Sequence, residues 1–374
     1  MKTATILSQI KIPTLLLDEN RARKNIKCMA EKAHKQGVRF RPHFKTHQSA
    51  QIAEWFRYEG VSAITVSSVS MAAYFAKNGW KDITIAFPLN WCEMDEINRL
   101  ADHFHVELLV ESMESAQFLQ EKLRLLCDVW VKIDVGLRRA GIWWQDREKI
   151  EELEARILQM DKLVLRGWLT HSGHSYHASS REEILKLYRE SIDHLNEVNQ
   201  RFIDKRHSAY EISVGDTPGC WLSEDLGQVD EIRPGNFVFF DAWQLKLGVC
   251  QEEDIAIAVA CPVVAKHSDR NEIIIYGGAI HLSKEFILLD GIPCYGLVCL
   301  LEENKWTKPQ AGCHVIKLSQ EHGVIRLSKS IFDVVNVGDV VCVLPIHSCL
   351  AADTLSHYLT LTGEHIAMFP WRQG

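Results

Sequence analysis

Through roughly the first 240 residues, short β-branched runs alternate with amphipathic stretches of helical period, eight of each. The strand-like runs begin at 39–43, 63–67, 83–87, 106–110, 129–134, 164–171, 211–214 and 237–240. The helical stretches are 19–35, 48–58, 70–78, 92–101, 114–125, 146–158, 180–199 and 219–226. That count predicts an α/β fold, a (β/α)8 TIM-type barrel. An open doubly wound sheet needs a reversal point, and the chain shows no signal for one. After about residue 245 the pattern becomes strand upon strand: 255–266, 272–276, 286–289, 295–301, 314–318, 324–327 and 340–344. Turn signals such as Gly277-Gly278, Asp290-Gly291 and Val337-Gly338-Asp339 separate them. The expected division is a barrel over 18–245 and a C-terminal all-β domain over 246–374, joined by the N-terminal strand in 1–17.

Composition narrows the function. With 374 residues, 47% hydrophobic and 24% charged, the chain reads as an ordinary globular protein. A net charge of −7 argues against general nucleic-acid binding. No apolar run approaches the ~20 residues that span a bilayer, so no membrane partner is expected. The segment 1–12 lacks the apolar core of a signal peptide. Eleven cysteines without a C-x-x-C pair read as reduced thiols in a cytoplasmic protein.

Barrel enzymes place their chemistry at the C-terminal ends of the strands, and the unusual residues here gather there. Arg41-Pro42-His43-Phe44-Lys45-Thr46-His47 follows the first strand. A lysine among cations loses proton affinity, and a neutral amine is a nucleophile for carbonyls such as that of pyridoxal phosphate (PLP). A basic surface loop is the plainer reading of such an island. Asp134-Val135-Gly136-Leu137-Arg138-Arg139 follows the fifth strand, and His171-Ser172-Gly173-His174-Ser175-Tyr176-His177 the sixth. Ser213-Val214-Gly215-Asp216-Thr217-Pro218-Gly219 follows the seventh. Such a Gly-rich turn into a helix can cradle a phosphate, with Thr217 supplying a hydroxyl. Arg233-Pro234-Gly235-Asn236 introduces the expected eighth strand. In the β domain, His347-Ser348-Cys349 pairs imidazole and thiolate, a donor set suited to zinc with positions left open. It is read in a strand-like segment, where i and i+2 point the same way. The doublet His103 and His105 is read as a solvated helix end.

Pro42-His43-x-Lys45-Thr46-His47, Gly173-His174-Ser175-Tyr176, Arg233-Pro234-Gly235-Asn236, Ser319-Gln320-Glu321-His322-Gly323 and His347-x-Cys349 occur in one order. The chain thereby resembles the fold-type III PLP enzymes, in the branch of D-serine dehydratase and D-threonine aldolase. The resemblance implies that Lys45 carries the Schiff base and moves the Cα proton. It sets Arg139 at the phenolic oxygen, His171 beside the ring, and Gly215, Thr217, Gly235 and Asn236 at the phosphate. Tyr176 is counted with these cofactor-binding residues. Arg233 matches the position that reaches the pyridine nitrogen in the racemase relatives, and His347 and Cys349 match the zinc ligands of the dehydratases. Alanine racemases carry a tyrosine as opposite-face base, and Tyr276-Gly277-Gly278-Ala279-Ile280-His281 has none after the glycines, although His281 could stand in. The lyase branch usually has an Asp-Ala-Gly-like triplet here, which this stretch also lacks.

The resemblance thus implies a PLP- and zinc-dependent lyase that dehydrates a β-hydroxy D-amino acid to a 2-oxo acid and ammonia, working as a homodimer. The alternative is retro-aldol cleavage to glycine and an aldehyde, with His177 as base for the β-hydroxyl proton. The thiolate favours dehydration, since the aldolases of this branch tend to have a carboxylate there. An amino-acid racemase and a non-catalytic PLP carrier are the remaining readings.

Overall fold

The computed structural model of the chain describes residues 6–206 and 209–370. It divides into two compact units. One runs from Lys27 to Lys45 and from Ala53 to Gly235. The other takes the described residues up to Ile26, the stretch Thr46–Ile52, and those from Asn236 onward.

The first unit is a parallel barrel. Its strands, one to eight, are Arg39–Phe40, Ala63–Val66, Asp82–Pro88, His105–Val110, Cys127–Asp134, Leu163–Leu169, Glu211–Val214 and Glu231–Ile232. Each pairs with the next, and strand eight pairs with strand one. The bridge His43↔Thr65 closes the ring between strands one and two. There Thr65 N donates to the Pro42 carbonyl at 2.9 Å and Phe44 N to the Thr65 carbonyl at 2.8 Å. Helices between the strands start on side-chain caps, as where Ser68 accepts from Met71 N before Val69–Lys77. That helix buries Val69, Met71, Ala72, Phe75 and Ala76. Gly167 in strand six has φ +158°, and a Cβ there would meet the Glu211 carbonyl oxygen at 1.9 Å. Only glycine lets strands six and seven approach so closely.

The eighth strand is not 237–240 as the sequence predicted. Asn236–Val238 is a 3₁₀ turn, and strand eight is Glu231–Ile232. Its inward residue is a buried carboxylate, so the apolar signature of a strand was missing. The N-terminal end of the barrel carries an ionic network. Arg41 is 2% exposed and contacts Glu231 at 2.7 Å, Asp82 at 2.6 Å and Glu107 at 3.2 Å. His105 opens strand four and bridges Asp82 at 2.9 Å and Asp128 at 3.0 Å, so it is not the helix end expected.

The second unit is built on a sheet with neighbours in the order Glu272–Tyr276, His322–Arg326, His314–Leu318, Gly296–Glu302, Val340–Pro345, Ile257–His267, Thr14–Leu17, His357–Thr360 and His365–Ala367. Glu272–Tyr276 also pairs with Ile257–His267, so the first six strands close into a ring. Thr14–Leu17 lies inside the sheet, antiparallel to Ile257–His267 and parallel to His357–Thr360. Its leucines are fully buried. No described helix is long and apolar enough to cross a membrane.

Candidate active site

Lys45 lies in the turn after strand one and is exposed. The residue before it fixes that turn. Phe44 is fully buried, with ring centroids 4.9 Å from Phe56, 4.9 Å from Phe75 and 5.1 Å from Trp80. Edge-on packing of this kind anchors the backbone from which the lysine projects.

The other barrel residues gather around the C-terminal ends of strands five to eight. Asp134 ends strand five and shapes the loop behind it, accepting from Gly136 N at 2.9 Å and Arg138 N at 3.1 Å. Arg139 stands exposed in that loop. His171 Nδ1 donates to the Gly215 carbonyl, which fixes the tautomer and leaves Nε2 without a proton. Asp216 caps the turn after strand seven, its Oδ2 accepting from Gly219 N at 2.7 Å and from the Ser175 hydroxyl at 2.8 Å. Tyr176 Oη lies 3.4 Å from Thr217 N. Two hydrogen bonds thus tie the 173–177 turn to the 215–219 turn. A Cβ on Gly215 would lie 3.0 Å from Arg233 Cβ and from its carbonyl oxygen, so glycine eases the close approach of the two strand ends. Arg233 is buried; its Nε donates to the Ser213 hydroxyl at 2.7 Å and its Nη2 to the Thr170 carbonyl. Burial brings its proton affinity down to about 10, so it stays charged at neutral pH. His177 ends its turn exposed to solvent.

Lys132, on the inward face of strand five two residues before Asp134, was missed in the sequence. Its signal is the alternation Trp130, Lys132, Asp134. Burial first, then Arg233 and Arg139, hold its ammonium well below the usual lysine range. Burial, then Lys45 and Arg233, likewise hold His43 well below the usual imidazole range. Burial, then Lys45 and Lys132, do the same to His171. A buried lysine and two half-buried imidazoles, pressed by three further cations, form a basic cluster that suits an anionic group. PLP, with its phosphate and phenolic oxygen, is such a group, and Lys45 supplies the amine for its aldehyde.

In the second unit His347 is the cap residue before the helix Ser348–Leu355. The H-x-C segment is therefore a strand-to-helix turn and not the strand expected, because the strand ends at Pro345. Nδ1 of His347 lies 2.8 Å from Glu285 Oε2. With Nδ1 so engaged, Nε2 is the ring nitrogen left for a ligand. Burial lowers the imidazole's proton affinity, but Cys349 and Glu285 outweigh it and raise it to about 11. A cation is wanted between these anions, and the N/S donor pair fits a borderline-soft divalent metal. Cys349 Sγ also lies 3.3 Å from Thr46 Oγ1. Asn236, expected at the phosphate, commits its side-chain amide to Asp241 Oδ2 and Ser348 Oγ, both at 2.8 Å. Only its main chain is left for a phosphate. Among the described residues, Asp82, His105 and Glu107 are the one set of three such donors within 4.8 Å of one another. Arg41 already occupies two of them.

Residues 17–242 match the family described as Alanine racemase, N-terminal domain, and residues 256–361 that described as Putative serine dehydratase domain. The chain belongs to the alanine racemase N-terminal domain family. It is 27% identical over 370 residues to the D-threo-3-hydroxyaspartate dehydratase of a Delftia species, covering 96% of each chain. It is 27% identical over 388 residues to the D-serine dehydratase of Dictyostelium discoideum, covering 96% and 95%. The solved structure of the Delftia dehydratase matches with a TM-score of 0.88 at 27% identity, over 97% of this chain and 98% of that one. Two structures named as variants of a D-threo-3-hydroxyaspartate dehydratase match equally well over 98% of this chain, with TM-scores of 0.89 and 0.88 at 26% identity, covering 96% and 99% of their own chains. One has a histidine changed to alanine; the other has a cysteine two positions later changed to alanine and is described as metal-free.

Proposed function

We propose that the protein is a PLP- and zinc-dependent lyase that eliminates water from a β-hydroxy D-amino acid, yielding a 2-oxo acid and ammonia. The observation that carries this reading is the His347–Cys349 donor pair in a chain that also sets Lys45 at the C-terminal end of a barrel. A histidine and a cysteine at the same spacing were the residues changed in the D-threo-3-hydroxyaspartate dehydratase variants.

PLP, when bound, supplies an electron sink for the pair left at Cα. Lys45 would hold the cofactor through its aldehyde, and its Nζ would serve as the base for the Cα proton. Arg139 donates to the phenolic oxygen. Arg233, charged at neutral pH, can only donate, so a ring nitrogen facing it stays unprotonated. Gly215, Thr217, Gly235 and the main chain of Asn236 receive the phosphate, with Tyr176 holding the Thr217 amide in place. His171, proton on Nδ1, presents its bare Nε2 beside the ring. His347 and Cys349 would hold the zinc, which would supply Lewis acidity towards the β-hydroxyl as leaving group. Water leaves across Cα–Cβ and is regained when the released enamine hydrolyses to the 2-oxo acid and ammonia.

Free thiols throughout the described chain suit a reducing, cytoplasmic setting. The test is incubation of protein, PLP and Zn²⁺ with D-threonine. 2-Oxobutanoate and ammonia are expected. Glycine and acetaldehyde would overturn dehydration and move attention to exposed His177 as the base for the hydroxyl proton.

A further inference from the structure

We propose that Glu285, Asp241 and Asn236 are positioning residues for a divalent metal held by His347 Nε2 and Cys349 Sγ. The inference rests on the metal reading above and goes beyond the two ligands to the groups that aim them.

Glu285 and the imidazole meet at 2.8 Å through Nδ1. A histidine that ligates through one nitrogen is usually held by a carboxylate on the other, which fixes ring orientation and raises ligand basicity. Glu285 is 47% exposed and His347 36% exposed, so the carboxylate has no packing role that would explain its place.

The turn itself is held from beneath. Asp241 is buried, and its Oδ2 accepts from Ser348 N at 3.0 Å and from Asn236 Nδ2 at 2.8 Å. Its Oδ1 accepts from Gln244 N at 3.0 Å, starting the helix Ala242–Lys246. Asn236 Nδ2 also reaches Ser348 Oγ at 2.8 Å and lies 3.8 Å from Cys349 Sγ. Three of these contacts, from Asp241 and Asn236, converge on Ser348, the residue between the two ligands, or on the sulfur. A buried carboxylate costs free energy unless it organises its surroundings. Here it fixes the backbone that sets the separation of imidazole and thiolate. Asn236 follows Gly235 directly, so one residue joins the expected phosphate segment to this turn.

The experiment titrates the purified protein, reconstituted with PLP, with Zn²⁺ in competition with a chromophoric chelator. Wild type is compared with Glu285→Ala, Glu285→Gln, Asp241→Asn and Cys349→Ser. PLP absorbance and thermal unfolding of the zinc-free proteins are recorded in parallel. Zinc affinity should fall about 10- to 100-fold in Glu285→Ala and Asp241→Asn. PLP absorbance and zinc-free unfolding should be unchanged in Glu285→Ala. Glu285→Gln, whose amide oxygen can accept the same bond, should regain part of the loss. Should Asp241→Asn fail to fold, exposed Glu285 decides the matter alone. Zinc affinities of both Glu285 variants within twofold of wild type, with Cys349→Ser clearly weakened, would overturn this inference and leave the metal reading standing. Equal zinc affinity in wild type and Cys349→Ser would overturn both.

Discussion

Lys132, His43 and His171 are nitrogen bases whose proton affinity is lowered by burial and by neighbouring cations. An arriving dianion reverses that balance, because opposite charge favours the protonated forms. PLP binding should therefore take up protons, and its affinity should weaken as pH rises. Calorimetry in buffers of different ionisation enthalpy counts the protons; zero uptake would mean that these bases do not face the anion. Lys45→Ala should lose the visible absorbance of bound PLP and all but a trace of activity; an unchanged spectrum would remove Lys45 from its role. Cys349→Ala should release zinc and lose elimination while its PLP spectrum stays, and full activity in that variant would exclude the metal from the chemistry. At this scale the sequence singles out residues that are odd for their context, such as Lys45 and His347-x-Cys349. Lys132 hid inside an apolar strand, where one charged letter looks like an exception.

Phe44 shows how an element controls a reactive group beside it. Truncation to alanine would leave a hole among Phe56, Phe75 and Trp80, at a cost of about 3–5 kcal/mol. Denaturant unfolding measures the loss, and a change below about 1 kcal/mol would mean that the ring does not anchor the turn. Elements with a clean period were legible: the helix over 19–35 is observed as Glu19–Lys35, and strand seven as Glu211–Val214. Strand eight was misplaced because two residues, one a buried glutamate, carry no period. The 347–349 turn was misread because a strand runs to Pro345 and the helix begins at Ser348, leaving only two residues between them. Register and caps decide such joints, and neither is visible in hydrophobic pattern alone.

Across the whole molecule, the ionic network under the barrel links strand ends far apart in sequence. Asp82 and Asp128 hold the His105 proton up to about 10, against an ordinary 6.5. Its contribution to stability is complete below 6.5 and is lost as pH rises towards 10. Asp82 runs the other way: His105 and Arg41 outweigh its burial and pull it down to about 2 from 3.8. That contribution is present above about 4 and fades as pH falls through 2. Melting temperature followed from pH 6 to 10 should decline in wild type and decline less in His105→Ala; parallel curves would discharge His105 from this part. The barrel and β architecture were legible as alternation followed by its loss, whereas this polar floor was not, since paired charges on separate strands share no local pattern.

The place of Thr14–Leu17 inside its sheet bears on how the chain is made. These four residues leave the ribosome early, yet their antiparallel neighbour Ile257–His267 begins about 240 residues later. At ordinary rates of synthesis, roughly 5–20 residues per second, three leucines wait from about ten seconds to most of a minute for a partner. His357–Thr360 on the other side arrives later still. The nascent chain therefore carries a sticky, unpaired strand while every strand of the barrel emerges behind it. Shielding by a chaperone is the natural remedy, and a shortened transcript ending before the late strands would leave the segment permanently exposed.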